Sequence, residues 1–451
     1  MTIQFKTNNQ LILNFISWCI SALPIVLIFS NSIADIIVVL ASIFFIFLSI
    51  KKKNWNWVNE PWIKIGIIIY FWLIITSIFA YDKELAFSRS ITWIRFIIFA
   101  ASLQFLFLSK YENKNRFLIC AFIALIYVNF EMFIEYFTGS SLYSKFRFNF
   151  IDSLLFNGGP HRIAGPFKDS PKSGIYLAYF IFPIILGMAE LIKIKFSKYY
   201  SLFFILFFVS VNLFLIYLSG HRASMLSATI SLFFIFSYLF FFKKKKIINI
   251  LFIVLISIFF FKSEFFFNDR IKIINLGTKT LSEIKKYPNS AYGSLALTSL
   301  KMFKTNPIFG IGLKNYRVVC ERDEFLSEGH KGTGYGISPW EGHYNQSLKA
   351  YYESTCSGHP HNLYLTWLAE TGFLGFTLFI LFLFFILKKI IKNKKIINKE
   401  IVVLGILITL IPKLIPMMPS LNFFSNWNAV CFWLLIGWLL SFYSKKNKRL
   451  N

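Results

Sequence analysis

Apolar runs long enough to cross a lipid bilayer recur along the whole of this chain, and short basic stretches punctuate them. Each run covers about 15 to 25 residues, which as a helix spans most or all of roughly 30 Å of hydrocarbon. Leu11–Ser30 and Ser32–Ile50 predict a first hairpin, closed by Lys51, Lys52 and Lys53. Pro61–Ala80 and Ile91–Ser109 predict a second, followed by Lys110, Lys114 and Arg116. Phe117–Phe137 leads out into a long loop, and Gly174–Ile192 returns to Lys193, Lys195 and Lys198. Tyr199–Leu218 and Ser224–Phe242 flank a tight turn and end on Lys243–Lys246. Ile247–Phe261 precedes the longest loop, and Leu363–Leu387 returns from it to the lysine-rich 388–399 stretch. Ile401–Met417 and Ala429–Tyr443 complete the set before a tail carrying Lys445, Lys446, Lys448 and Arg449. The expectation is an all-α polytopic membrane protein of about twelve transmembrane helices.

Every basic cluster falls on the same side of that topology, as the excess of Lys and Arg in cytoplasmic loops requires. Both termini are therefore expected in the cytoplasm of a bacterial inner membrane, with the long loops periplasmic. Three regions follow. Residues 1–262 hold helices 1–9 with a loop at 138–173; residues 263–362 form the large loop; residues 363–451 hold helices 10–12 and the basic tail. The large loop carries Phe303, Phe309, Tyr316 and Trp340, with helical spacing near Leu295–Phe303, so it is expected to be partly helical.

Composition agrees. The 451 residues are 56% hydrophobic, with 57 Phe, more apolar surface than a soluble domain can bury. A net charge of +27 would point to nucleic acid in a soluble protein, but here the lysines lie between spans and match membrane topology, so no nucleic-acid partner is implied. The first apolar run lacks a clear cleavage site and is expected to anchor the chain. Cys19, Cys120 and Cys431 fall in spans, whereas Cys320 and Cys356 share the large loop. In an oxidising compartment that pair is either a disulfide or two thiols.

Candidate chemistry gathers on the outer side, where all 6 histidines lie. The densest stretch runs from Ser357 to Phe376. His359 and His361 flank Pro360, and Asn362 has the side chain of a helix N-cap just before an apolar helical run. A histidine at that end of a helix meets the positive pole of the macrodipole, which favours the neutral ring that a general base needs. Three other patterns face the same way: Arg162–Pro171, His221-Arg222-Ala223-Ser224 in the tight turn, and Asn306–Arg317. An arginine at such a turn either forks onto phosphate oxygens or snorkels to lipid headgroups. Gly310-Ile-Gly312 lacks the strand and third glycine of a dinucleotide site and reads as a tight turn that lets backbone approach something. Glu131 and Glu135 share one helix face, and with Arg95 they suggest a structural ion pair or, less readily, a proton path. No cluster has convincing metal-ligand spacing.

These pieces together resemble the superfamily of O-antigen ligases and O-antigen polymerases, bacterial membrane glycosyltransferases. The matching elements are Arg162–Pro171, His221–Ser224, Asn306–Gly312 and above all His361-Asn362 with Ala369-Glu370-Thr371-Gly372, in order from about Phe137 to Leu387. The resemblance implies a cofactor-free, metal-independent transfer of a glycan from an undecaprenyl-diphosphate carrier. The acceptor is lipid A–core for a ligase and another lipid-linked glycan for a polymerase; a protein acceptor is a third possibility within the family. By motif, His361 is the implied base and Arg162 and Arg222 the diphosphate binders, with His359, Asn362 and Arg317 as further substrate contacts. Family members often carry an arginine ahead of the Asn-Pro of the third motif. Here Asn289–Leu295 has none, and Arg317 or Lys301 stands in for it or the donor is held differently. From another class, a polysaccharide or lipid transporter would need mid-membrane charges and symmetric halves, for which Glu131 and Glu135 are the support.

Overall fold

In the computed structural model, the described residues are 2–143, 163–167, 172–243, 291–320, 322–325 and 357–444. His161, Arg162, His330, His343, Cys356 and the expected span 247–261 lie outside them.

The apolar runs fold as helices because every backbone polar group must be bonded internally where no water is present. In chain order they are α1 (Thr2–Phe29), α2 (Asn31–Lys51), α3 (Pro61–Ile78), α4 (Lys83–Ser102), α5 (Tyr111–Thr138), α6 (Lys172–Lys195), α7 (Lys198–Leu218) and α8 (Arg222–Lys243). After them come α9 (Ala291–Thr305), α10 (Leu363–Lys392), α11 (Ile401–Lys413) and α12 (Asn426–Ser441). Among the described residues, 8 helices are long and apolar enough to cross a membrane, and the apolar helices Arg222–Tyr238, Ile401–Lys413 and Asn426–Ser441 are shorter. The helix expected from Ile91 begins earlier, at Lys83, because the Asp82 side chain accepts the Leu85 amide and caps it.

Two helices form the centre. In α12 every residue from Trp427 to Ser441 is buried, and in α6 burial is unbroken from Ser173 to Gly187. The others ring them and turn Leu11, Phe15, Ile43, Phe203 and Phe384 outward, as lipid-facing side chains do. Trp93, Trp367, Phe379, Phe423 and Trp433 interlock edge-on and stacked where α4, α10 and α12 meet.

The charges expected to pair inside the bundle do so differently. Arg95 does not meet Glu131 or Glu135; its Nε lies 2.9 Å from Asp35 Oδ1, and Asn426 completes the group. Glu135 instead accepts the backbone amides of Ala164 and Gly165, and Glu131 accepts that of Tyr143 at 3.2 Å. Both glutamates thus hold loop backbone, which short-range pairing logic did not foresee because backbone donors leave no mark in a sequence.

The Asp35–Arg95 pair has side chains only 24% and 12% exposed, whereas Glu324 and Arg322, 4.0 Å apart, are each 49% exposed. A buried charge left without its partner is costly, an exposed one is not. Asp35→Ala is therefore expected to lower the melting temperature of the solubilised protein well beyond Glu324→Ala; equal shifts would contradict this.

Candidate functional site

The site begins with a broken helix. Within α10, Gly372 adopts φ 69 and ψ −175, so the helical ladder stops there. A break of this kind orphans carbonyls and amides, which must find other partners when buried. The 306–312 segment supplies them. Ile311 N donates to Ala369 O at 2.9 Å, Gly312 N to Glu370 O at 3.1 Å, and Phe373 N turns outward to Pro307 O at 2.8 Å. The something that Gly310-Ile-Gly312 approaches is therefore the Ala-Glu-Thr-Gly motif itself. Contact is so close that a Cβ on Gly310 would lie 2.6 Å from the backbone of Glu370–Gly372, and one on Gly372 2.0 Å from Ile308 O.

Side chains extend this seam. Glu370 is fully buried, and its Oε2 accepts the Lys314 amide at 2.8 Å. Asn315 grips the α3–α4 turn, taking Asp82 N on Oδ1 at 2.6 Å and giving Nδ2 to Asp82 O at 3.2 Å. Phe309 stacks on Phe79 with ring centres 4.0 Å apart, and Trp72 Nε1 donates to Thr371 O. A small second core of Leu295, Met302, Ile311, Tyr316, Val319, Cys320, Phe325 and Ala369 lies beneath the segment. Cys320 is disulfide-bonded, while Cys19, Cys120 and Cys431 are free. Its expected partner, Cys356, lies outside the described residues.

The histidine loop is fixed from the other side. Asn362 caps α10, its Oδ1 accepting Tyr364 N and Leu365 N at 3.0 Å each, and its Nδ2 donates to Pro416 O. The carboxamide expected to touch substrate is thus occupied in holding the loop. Ser420 N donates to His361 O at 2.8 Å, and Asn422 Nδ2 reaches Gly358 O at 3.5 Å. His361 itself sits at φ 53, an uncommon left-handed conformation outside glycine. Although Pro360 restricts the residue before it to extended backbone, the two ring centres are only 4.0 Å apart.

Their surroundings keep both rings neutral. His359 Nε2 lies 3.2 Å from Ser420 O, so that nitrogen carries the proton and donates. Burial, the neighbouring His361 and the cations Lys314 and Arg317 push its pKa down to about 3. Burial lowers that of His361 as well, whose Nε2 is 3.4 Å from Ser357 Oγ and whose ring meets Tyr292 edge-on. Lys314 is pushed down to about 8 by burial, against the pull of Glu370, with Arg317 and Arg89 adding repulsion. Arg317 is exposed and points its Nη2 to within 3.7 Å of where a Gly358 side chain would start. The structure therefore brings together His359, His361, Asn362 and Arg317. Sequence alone assigns no role to Lys314 or to Glu370, which it names only within the Ala369–Gly372 motif; an acid within an apolar helix, two residues before a glycine, was the available signal.

Arg222 stands elsewhere on the same set of motifs. It is exposed at the start of α8, where the His221 ring accepts Ser224 N at 3.1 Å and caps the helix. Its turn packs on the start of α6, since a Cβ on Gly174 would meet Ser219 Oγ, and Ile163 N reaches Leu218 O at 3.5 Å. So the residue next to Arg162 is bonded four positions before Arg222, while Arg162 lies outside the described residues. Among those residues no hydrogen bond or ion pair joins Arg222 to the histidine loop.

A family model described as O-antigen ligase matches residues 204–380. That stretch holds the Arg222 turn, the 306–317 segment, the histidine loop and the broken start of α10. No curated protein matches the chain.

Gly372→Ala is expected to destabilise the protein far more than Gly139→Ala. Both positions have positive φ, 69 and 78, so both substitutions carry the left-handed penalty of about 1–2 kcal/mol. At Gly139, however, a Cβ meets nothing within 4 Å. Thermal unfolding in detergent isolates the close approach; equal melting temperatures would mean that the seam is loose.

Proposed function

Because residues 204–380 carry the pattern of the O-antigen ligase family, we propose that this chain is a periplasm-facing glycosyltransferase of the ligase type. It moves a glycan from an undecaprenyl-diphosphate carrier to an acceptor hydroxyl, lipid A–core in the favoured reading. The observation that carries the proposal is the buried His361 ring, held by its loop 4.0 Å from the His359 ring, with Arg317 close to Gly358 in the same loop.

Each group has a part. The acceptor hydroxyl gives its proton to His361 as its oxygen bonds to the anomeric carbon of the donor sugar. The bond from that carbon to the diphosphate oxygen breaks, and the carrier diphosphate leaves with the electron pair. Negative charge grows on the leaving group, so fixed cations there lower the barrier. Arg317, with its planar fork, takes the place of the arginine missing from 289–295, and its position favours it over Lys301. Arg222, at the start of α8, holds the diphosphate together with Arg162. His359 contributes through its Nδ1, Nε2 being bound to Ser420. Asn362 acts by positioning His361 rather than by touching substrate. The polymerase shares this donor and chemistry. The transporter reading loses its support, because Glu131 and Glu135 are taken up by backbone amides.

His361→Ala is expected to lower transfer from a lipid-diphosphate donor by about 10²- to 10⁴-fold in liposomes, with the fold intact by melting temperature. Near-normal turnover would exclude His361 as the base. In a strain lacking the gene, loss of long glycans from lipid A marks a ligase, and a single repeat unit there marks a polymerase.

The pH profile follows from the lowered pKa of His361. A base whose pKa is depressed stays neutral as pH falls, so activity persists below the ordinary histidine value of about 6.5 and is lost only on further acidification. An acid limb of kcat/KM at or above that value would show that the ring is not desolvated.

Arg222→Lys keeps charge but not the fork. Transfer is expected to fall strongly while membrane expression stays normal; equal activity would make Arg222 an interfacial anchor.

A further inference from the structure

Among the described residues, two lysines at the same end of the bundle have no carboxylate partner. Lys413 closes α11 and Lys172 opens α6. Among the described residues, the ion pairs are Arg95–Asp35, Arg322–Glu324 and Lys389–Glu60, and neither lysine enters one. Lys172 and Tyr179 lie on the same helix, seven residues and about two turns apart. Lys413 Nζ instead sits 3.5 Å from the centre of the Tyr179 ring. A cation over an aromatic face retains free N–H donors, because the ring takes up only its charge.

The surroundings are built rather than incidental. Tyr179 is 5% exposed and Asn428 6% exposed. Tyr179 Oη donates to Asn428 Oδ1 at 2.5 Å, and Asn428 Nδ2 donates to Asn422 O at 3.2 Å. Asn422 in turn reaches Gly358 O, next to His359. Lys413 is also followed directly by Leu414, whose carbonyl accepts Tyr364 Oη at 2.5 Å, and two residues later by Pro416, whose carbonyl accepts Asn362 Nδ2. Lys172, for its part, directly follows the Arg162–Pro171 motif, and Ser173 Oγ donates to Ile163 O. Lys413 therefore stands on the ring that bonds the start of α12, and Lys172 opens α6, which carries that ring, beside the bonded Ile163. Unpaired charge at such depth is costly and is usually relieved by a counter-ion.

We infer that Lys172 and Lys413, backed by Tyr179 and Asn428, form a phosphate-recognition subsite between α6, α11 and α12. Its ligand is a lipid-borne phosphate. That this phosphate belongs to the glycan carrier rests on the glycosyl-transfer reading above; the existence of the subsite does not. A diphosphate suits two ammonium groups better than a single phosphodiester does, since it offers more anionic oxygens to be shared.

The test uses the full chain in nanodiscs and native mass spectrometry, with undecaprenyl diphosphate in one arm and phosphatidylglycerol in the other. Lys413→Gln and Lys172→Gln are each expected to weaken retention of undecaprenyl diphosphate about tenfold, the fold-change equal to about 1.4 kcal/mol. Lys413→Arg restores it. Loss confined to the phosphatidylglycerol arm supports the subsite and identifies its source as a membrane headgroup. Unchanged retention in both arms for both glutamine variants overturns the proposal. If Lys413→Gln lowers the melting temperature, the Lys172→Gln variant decides alone. His361→Ala separates the two readings. It is expected to keep the lipid and lose transfer, so an active His361→Ala alongside weakened lysine variants would remove the base and leave the subsite.

Discussion

The carbonyls of Ala369 and Glu370 have no amide to receive within their own helix, and the geometry of the histidine-loop end of the bundle follows from that shortage. Gly372 turns the chain out of the helical ladder, and three main-chain bonds to the 306–312 segment restore what was lost. Everything that segment carries is thereby placed: Phe309 between Trp72 and Phe79, Asn315 on the α3–α4 turn, Lys314 over Glu370, Arg317 beside Gly358. Main-chain bonds have fixed length and direction, which is why a seam made of them can set side chains with little play.

Electrostatics then act on a geometry already decided. Two imidazoles in tilted contact, a buried lysine and an arginine share a small region with the Glu370 carboxylate, whose Oε2 is committed to a backbone amide. Protonating either ring would add positive charge to a region that already holds more than it neutralises, and burial removes the water that would otherwise offset this. Neutral histidine and undischarged cations are thus two results of one cause.

Much of this was legible in the chain, and the parts that were not share a physical reason. Asn362 could be read as a cap because an asparagine before an apolar helical run has a local meaning. The glycines at 310 and 312 announced a close approach, but their partner lies some sixty residues away and contributes only backbone, which carries no side-chain signature. The same holds for Glu131 and Glu135, whose ligands are amides of loops. Arg95 was read against those two acids by topology alone; Asp35 was the better partner because α2 and α4 are neighbours, a fact that hydropathy does not state. The close approach of the His359 and His361 rings accompanies a left-handed φ at His361, which residue type does not forecast.

Asn315 recognises Asp82 through its amide and carbonyl and never through its carboxylate. The connection between the 306–317 segment and the α3–α4 turn is therefore indifferent to what residue 82 is, apart from the cap it gives to α4. Sequence drift can proceed in that turn while the joint persists, whereas at Gly310 and Gly372 the room for any change is set by atoms already in contact. Variation and invariance would then be distributed along this chain by which half of a residue, backbone or side chain, its partner reads.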